Sequence, residues 1–593
     1  MRKNLFISVV IFMTCVFAAD TAQAGNAVWK GTVDGTWDTN TLNWTRNSVA
    51  NQAYVEGDAV TFDDTATIKT VSSGGAVSPF SVLVTNTATY TISAAIVGAG
   101  GLTKSGAGTL TISGANTYSG KTTISVGTLT VTSALTGSGV AGPLGAPAGA
   151  NGIIDIYSGA TLYINPVGDC STDRGLNLAG GSGTVSLYNK NNGQVVIFNG
   201  AVTVSGTGSK TLAIYNGTGG APGGDSNVIV FNESIPDVAD GSKLSLSITY
   251  NTQTAPGGSY VSLAKGGTFT GPITLTRLNG STLYLTIGGR YDNDYGAITS
   301  IVGSGALCNG NYTNTISLAA STVLNYQSSA TQTLSGAISG AGSLLMSGPG
   351  ALTLTATNTY TGTTTINAGK LFIGGAGNLG SDTYANTISI GASSIFCYSS
   401  TANQAISGVI SGSGALIKNN TGTLNLAGPN SYIGTTTISN GTLLVNASLN
   451  AASLVTVASG GTLGGTGTVG NVTSSGTISP GYSGVMGTLT TSNLVLNSGC
   501  TNVFDLDGTN TGDRVTVNGA LTINGVPAVM VNLTNAVFGT YPLLIVSGTA
   551  TNTVPTLRLV SEKGVTGRLT WGGPGNKTLS LSVGAAGTVL VIR

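Results

Sequence analysis

The sequence predicts an all-β protein, a solenoid of short strands turned at Gly and Asn, and three observations carry that prediction. Apolar and polar residues alternate over short runs: in "GTLTISG" Leu110 and Ile112 fall on one side, Thr109, Thr111 and Ser113 on the other, which is the period of a strand. One wording occurs three times, as "NTYSGKTTISVGTLTV" from Asn116, "NTYTGTTTINAGKLFI" from Asn358 and "NSYIGTTTISNGTLLV" from Asn430. The runs are filled with β-branched Thr, Val and Ile and bounded by Gly and Asn, residues suited to pleated surfaces and to tight corners respectively. Short strands alone would also fit a sandwich or a barrel. Internal repetition favours the solenoid, because stacked coils set like residue over like and build continuous ladders.

Composition bounds what such a chain can do. Of 593 residues only 7% are charged and 91 are Gly, while 40% are hydrophobic. That is enough apolar content for a core and is unlike the signature of disorder. Basic and acidic residues number 22 and 21, so there is no basic face for nucleic acid. Near-neutrality weakens colloidal repulsion, and self-association is expected.

The chain opens on "MRKNLFISVVIFMTCVFAADTAQAG". Arg2 and Lys3, the apolar run Leu5 to Ala19 and the Ala22-Gln23-Ala24 motif read as a secretory signal peptide over 1–24, cleaved after Ala24. The apolar run is shorter than the ~20 residues a membrane span needs. No other stretch is apolar enough to span a bilayer as a helix.

After the leader the reading divides the chain into four. Residues 25–134 form an N-terminal cap and the first repeat, 135–311 a degenerate β-helical middle, 312–455 two tandem repeats and 456–593 a C-terminal β-rich region. The three copies align without a gap, offset by 242 residues from Gly98 to Gly340 and by 72 from Gly340 to Gly412. Asn116, Asn358 and Asn430 correspond, as do Tyr118, Tyr360 and Tyr432, and Gly120, Gly362 and Gly434. These nine are read as structural: the Asn holds a corner and the Tyr packs against the turn. A worn copy, "GGTFTGPITLTRLNGSTL" at 266–283, puts Phe269 in the Tyr slot and Gly271 in the Gly slot.

Candidate chemistry is sparse. With no histidine in the chain, Ser-His-Asp and Cys-His arrangements are impossible. Cys170, Cys308, Cys397 and Cys500 are far apart and form no C-x-x-C, so isolated, mostly buried thiols are expected. Acidic residues gather at "EGDAVTFDD" (56–64), "YDNDYG" (291–296) and "FDLDGTNTGD" (504–513). The last offers Asp505, Asp507, Asn510 and Asp513, loosely like a calcium loop, yet Asp505 and Asp507 alternate with Phe504 and Leu506 as outward residues of a strand would. In "YDNDYG" Tyr291 and Tyr295 flank Asp292 and Asp294, an arrangement open to sugar binding or to a plain polar turn. No catalytic, cofactor or metal residue is assigned.

The stretch "GAGGLTKSGAGTLTISGANTYSGKTTISVGTLTV" and its copies at 340 and 412 resemble the autotransporter-associated β-strand repeat, also called the passenger-associated transport repeat. The Trp-rich "AVWKGTVDGTWDTNTLNWT" and the Gly-rich stretch 455–490 are similar to the usual start and C-terminal continuation of such chains. The resemblance implies a right-handed parallel β-helix that is exported and displayed, often with adhesive roles, and carries over no catalytic residue. The final "LSLSVGAAGTVLVIR" lacks the run of amphipathic membrane strands of a translocating barrel, so the expectation is a passenger without its own translocator. A structural or adhesive surface protein is the favoured function, its partners surface glycans or like chains. A carbohydrate-active or carbohydrate-binding β-helix is the alternative.

Overall fold

The computed structural model describes residues 24–190, 194–216, 227–251, 259–279, 282–294, 297–302, 306–307, 310–482, 484–507, 512–533, 538–550, 556–561 and 565–585. The signal-peptide reading over 1–24 therefore lies, but for Ala24, outside the described residues. The remainder is all-β. Counted over the described residues, four long sheets of 10, 11, 10 and 18 strands and a sheet of six account for most of the chain.

Within the long sheets pairing is parallel, and register sets like residue beside like. Leu110 lies opposite Leu129, Leu129 opposite Leu162, and the column continues through Leu187, Ile214, Ile248 and Leu275 to Leu318. Every member is at most 1% exposed. The outward neighbours Thr109, Thr128 and Thr161 form their own half-buried column. In the tandem units Leu352, Leu371, Phe396 and Leu416 make an equivalent buried ladder. Each fully buried Leu or Ile contributes roughly 1.5–3 kcal/mol relative to exposure. The apolar column is therefore the main term holding successive turns of chain together.

The parallel ladder passes through 135–311 without changing sheet, by way of Ala160–Ile164, Gly183–Asn189, Lys210–Asn216, Leu244–Asn251 and Ile273–Asn279. Here two columns are polar. Asn189 and Asn216 are buried in the register that Ile164 occupies one strand earlier, and the Asn189 amide donates to Asn216 Oδ1 at 3.3 Å. Outside, Tyr163, Tyr188 and Tyr215 stand in register and stack, with ring centroids 5.5 and 4.1 Å apart.

Among the described residues, antiparallel strand pairs occur at the ends and in one excursion. Asn26–Trp29 pairs antiparallel with Trp44–Arg46, which pairs antiparallel with Val49–Gln52. This hairpin covers the first parallel strand pair, Asn26–Trp29 on Ala59–Phe62. Beneath it Trp29, Trp37 and Trp44 are fully buried against Tyr54 and Phe62. At the other end Thr578–Ala585 lies antiparallel between Gly539–Val546 and Val565–Gly572. Gly289–Asp294 and Ala297–Val302 form an antiparallel pair of their own. Terminal strands that turn back in this way blunt the open edges that a parallel stack would leave.

Candidate functional site

The repeated residues build one corner three times. Asn116 Oδ1 accepts from the Ile96 N–H at 2.9 Å, Asn358 Oδ1 from Ile338 at 3.0 Å and Asn430 Oδ1 from Ile410 at 3.0 Å. The backbone N–H of each Asn points the other way along the chain, donating to Gly142, Asn378 and Ser448 carbonyls at 3.0, 3.0 and 2.8 Å. Each Asn thus ties its own turn of chain to the turn before and the turn after, and all three are buried.

Two residues on, the Tyr hydroxyls meet the Thr four positions further. The Tyr118–Thr122, Tyr360–Thr364 and Tyr432–Thr436 oxygens are 2.9, 2.7 and 2.6 Å apart. Burial pushes the Tyr118 phenol up to about 12 and holds Tyr360 and Tyr432 well above the usual range, so these phenols stay neutral. The Gly two positions later is required by contact. A Cβ on Gly120, Gly362 or Gly434 would sit 2.3, 2.2 or 1.9 Å from the carbonyl oxygen of Gly100, Gly342 or Gly414.

The worn copy keeps this packing with different chemistry. Phe269 is fully buried, and a Cβ on Gly271 would meet Leu244 O at 2.2 Å. Four residues after Phe269 stands Ile273, also fully buried, where the other copies have Thr. Hydroxyl and hydroxyl have been exchanged together for ring and methyl, leaving no orphaned polar group.

The acidic stretches are taken up by backbone. Asp58 is fully buried, faces Arg46 Nε at 2.8 Å and accepts from the Gly25 N–H at 2.6 Å. Asp64 accepts from the Thr87 and Ala88 N–H groups at 2.7 and 3.0 Å, and the Ala88 and Thr87 bonds hold its carboxyl below the usual range. In 291–296, Tyr291 to Asp294 lie in the antiparallel excursion, whereas Tyr295 and Gly296 fall outside the described residues. In 504–513, Phe504 and Leu506 are buried and Asp505 and Asp507 half-buried, following the expected alternation. Asn510 lies outside the described residues. Asp513 is 1% exposed, and its carboxylate accepts from Gly487 N–H at 2.8 Å and Asp505 N–H at 3.0 Å. Its burial pushes the carboxyl up to about 6. Alternation predicts strand faces but not where a loop folds back, so the burial of Asp513 is not legible from it.

Among the described residues no cluster of three or more His, Cys, Asp or Glu is placed to hold a metal ion. Cys170, Cys397 and Cys500 are buried free thiols; Cys308 lies outside the described residues. Desolvation raises all three described thiols above their ordinary value.

One concave surface was not singled out by sequence. It is a groove of about 470 Å³ on the tandem units, lined among others by Asp382, Asn403, Thr423, Asn425, Asn446 and Tyr482. Asn425 Oδ1 accepts from Asn446 Nδ2 at 2.9 Å, and Asn403 Oδ1 from the Thr423 N–H at 3.0 Å. Tyr482, 43% exposed, projects from a tight turn closed by reciprocal bonds with Val485 at 3.0 and 2.9 Å. The signal available in the sequence was the recurrence of Asn at 403, 425 and 446, about one turn of chain apart.

Fold and corners define a repeat protein built on parallel β ladders. The passenger-associated-transport repeat matches residues 102–131, 344–371 and 416–445, which are the three copies that carry the corner. Over 400 residues, 61% of its length, the chain is 30% identical to the adhesin BmaC autotransporter of Brucella suis biovar 1 (strain 1330). It spans about a tenth of that relative, the matched part being 10% of it. The crystal structure of the Haemophilus influenzae Hap adhesin superposes with a TM-score of 0.39 at 14% identity, over 94% of this chain and 71% of that one, a likeness too distant to bear on function. Among the described residues no helix is long and apolar enough to cross a membrane.

Proposed function

We propose that this chain is an exported, surface-displayed or secreted passenger with a structural or adhesive role, its ladders wound as a right-handed parallel β-helix. The observation that carries the reading is the threefold corner: the Asn of each passenger-associated-transport repeat bonds neighbouring turns of chain, while its Tyr bonds the Thr four residues on and its Gly admits the carbonyl of the turn before. Residues spent on seating one turn on the next belong to a scaffold. Similarity to the Brucella adhesin BmaC autotransporter supports the adhesive role.

In this reading residues 1–24 are a leader removed after Ala24, 25–134 cap and open the helix, 135–311 continue it, 312–455 are its regular tandem units and 456–593 close it. The nine corner residues are structural, and the chain is non-catalytic. The absence of histidine from the sequence and the capture of Asp58, Asp64 and Asp513 by backbone N–H groups support that view.

Export is tested by expressing the full chain in a host with a Sec pathway and determining the N-terminus of the mature product. A product beginning at Gly25, outside the cytoplasm, is expected. Retention in the cytoplasm with Met1 intact would overturn the reading.

A further inference from the structure

We propose that the groove over Asp382, Asn403, Asn425, Asn446 and Tyr482 binds a neutral, hexose-based glycan. The inference goes beyond display, since it assigns a ligand class and a site to the scaffold.

Three features of the groove select that occupant. Its volume, about 470 Å³, lies within the range of small-molecule clefts and suits a few sugar units. Among the described residues its polar lining is amide and hydroxyl, with Asp382 the acidic member and no Lys or Arg, so an anionic polysaccharide would find no countercharge there. Tyr482 is an exposed ring whose backbone is bonded in both directions to Val485. An aromatic surface beside amides and a carboxylate is the pairing a sugar requires, C–H faces against the ring and hydroxyls toward the polar groups.

The strands supply a mixed floor. Asn425 stands between Ala405 and Leu444 in consecutive parallel register, so a polar side chain is flanked by apolar ones at the ~4.8 Å step of a sheet, an alternation that suits a ring with both C–H and hydroxyl edges. The existing bonds hold these amides in place before any ligand arrives: Asn446 to Asn425 at 2.9 Å, Thr466 N–H to Asn446 Oδ1 at 3.1 Å, and Asn403 to Thr423 at 3.0 Å. Asp382 is held by the Asn378 amide. Preorganisation of this kind lowers the ordering cost of binding.

The test is calorimetric titration of the mature chain with hexasaccharides of β-linked glucose, β-linked mannose and α-linked galacturonate. Binding of at least one neutral hexasaccharide, in preference to the galacturonate, is expected. Tyr482→Ala should then weaken it about tenfold or more, a change of about 1.4 kcal/mol, and Tyr482→Phe should retain it. Asn425→Ala should weaken it as well, with melting temperatures of the Tyr482 variants unchanged. Failure of both neutral hexasaccharides to bind, preference for galacturonate, or indifference to Tyr482→Ala would each overturn the proposal. None of these outcomes touches the export reading, whose test is the mature N-terminus.

Discussion

The Tyr118 hydroxyl and the Thr122 hydroxyl lie 2.9 Å apart inside the first repeat, both fully or almost fully buried. The pair recurs at 360/364 and 432/436 and is replaced as a unit by Phe269 and Ile273. This joint replacement says how the corner is stabilised: what matters is that neither oxygen is left alone.

Tyr118→Phe should therefore destabilise by about 1–1.5 kcal/mol, since Thr122 keeps only a 3.4 Å contact to Leu144 O and a buried polar group without a good partner is costly. The double variant Tyr118→Phe/Thr122→Val should cost less than the sum of the two single ones. Chemical denaturation of all four proteins measures this; strictly additive losses would show that the pair is not coupled.

Leu424 and Thr423 are adjacent, one fully buried and the other half-buried. Leu424→Ala should cost roughly 2–5 kcal/mol locally, whereas Thr423→Ala should stay within about 0.5. Across the copies Leu110, Leu352 and Leu424 are invariant while Thr109, Ala351 and Thr423 drift. Similar denaturation midpoints for the two variants would contradict the assignment of faces.

Gly434 has its neighbour's carbonyl where a Cβ would be, 1.9 Å away. Gly434→Ala should lower stability by about 1–3 kcal/mol or more, as overpacking against a backbone that must shift. At Gly484, where a Cβ meets nothing within 4 Å but φ is +80°, the penalty of the same change should come from backbone strain alone, about 1 kcal/mol. Thermal melts rank the two, and an equal or smaller loss at Gly434 would argue against the close approach.

Asp513 gives a pH dependence of defined sign. Its folded-state pKa, about 6, is raised above the ordinary 3.8 by desolvation, so the folded chain holds that proton more tightly than the unfolded one. The contribution is fully present below about pH 4 and is lost as pH rises through 6. The denaturation midpoint of the C-terminal region should fall over that window, and the Asp513→Asn variant should lack that fall. A rise across the same window in the wild-type chain, absent from the variant, would reverse the sign and the cause.

Much of the fold was legible because the repeat keeps its own length. In the tandem units Leu352 and Leu371 pair across 19 residues, and Leu424 and Leu443, 72 residues further on, across the same number, so the ladder steps recur with the 72-residue sequence period. In 135–311 they part company. Leu129 pairs with Leu162, 33 residues on, Leu162 with Leu187 after 25, and Leu275 with Leu318 after 43. Loops of varying length leave the register intact while erasing the sequence period, which is why this region reads as degenerate. Asp513 and the groove were hidden for a related reason. Both depend on how loops fold back: 513 onto 487, and Tyr482 beside strands some 40–80 residues earlier. By contrast Phe269 and Gly271 were legible from wording alone, because the corner fixes both positions sterically.

The central claim is that the ladders make one continuous β-helix, and small-angle scattering on the mature chain tests it most directly. With roughly 20–25 residues per turn, the 569 residues left after Ala24 would stack some 25 turns at ~4.8 Å into a rod of about 120 Å. A uniform rod of that length has a radius of gyration near ~35 Å, whereas a compact globule of the same chain would have about 25 Å. The account predicts the larger value with an extended, skewed distance distribution. A radius of gyration near ~25 Å with a symmetric, globular distribution would contradict it.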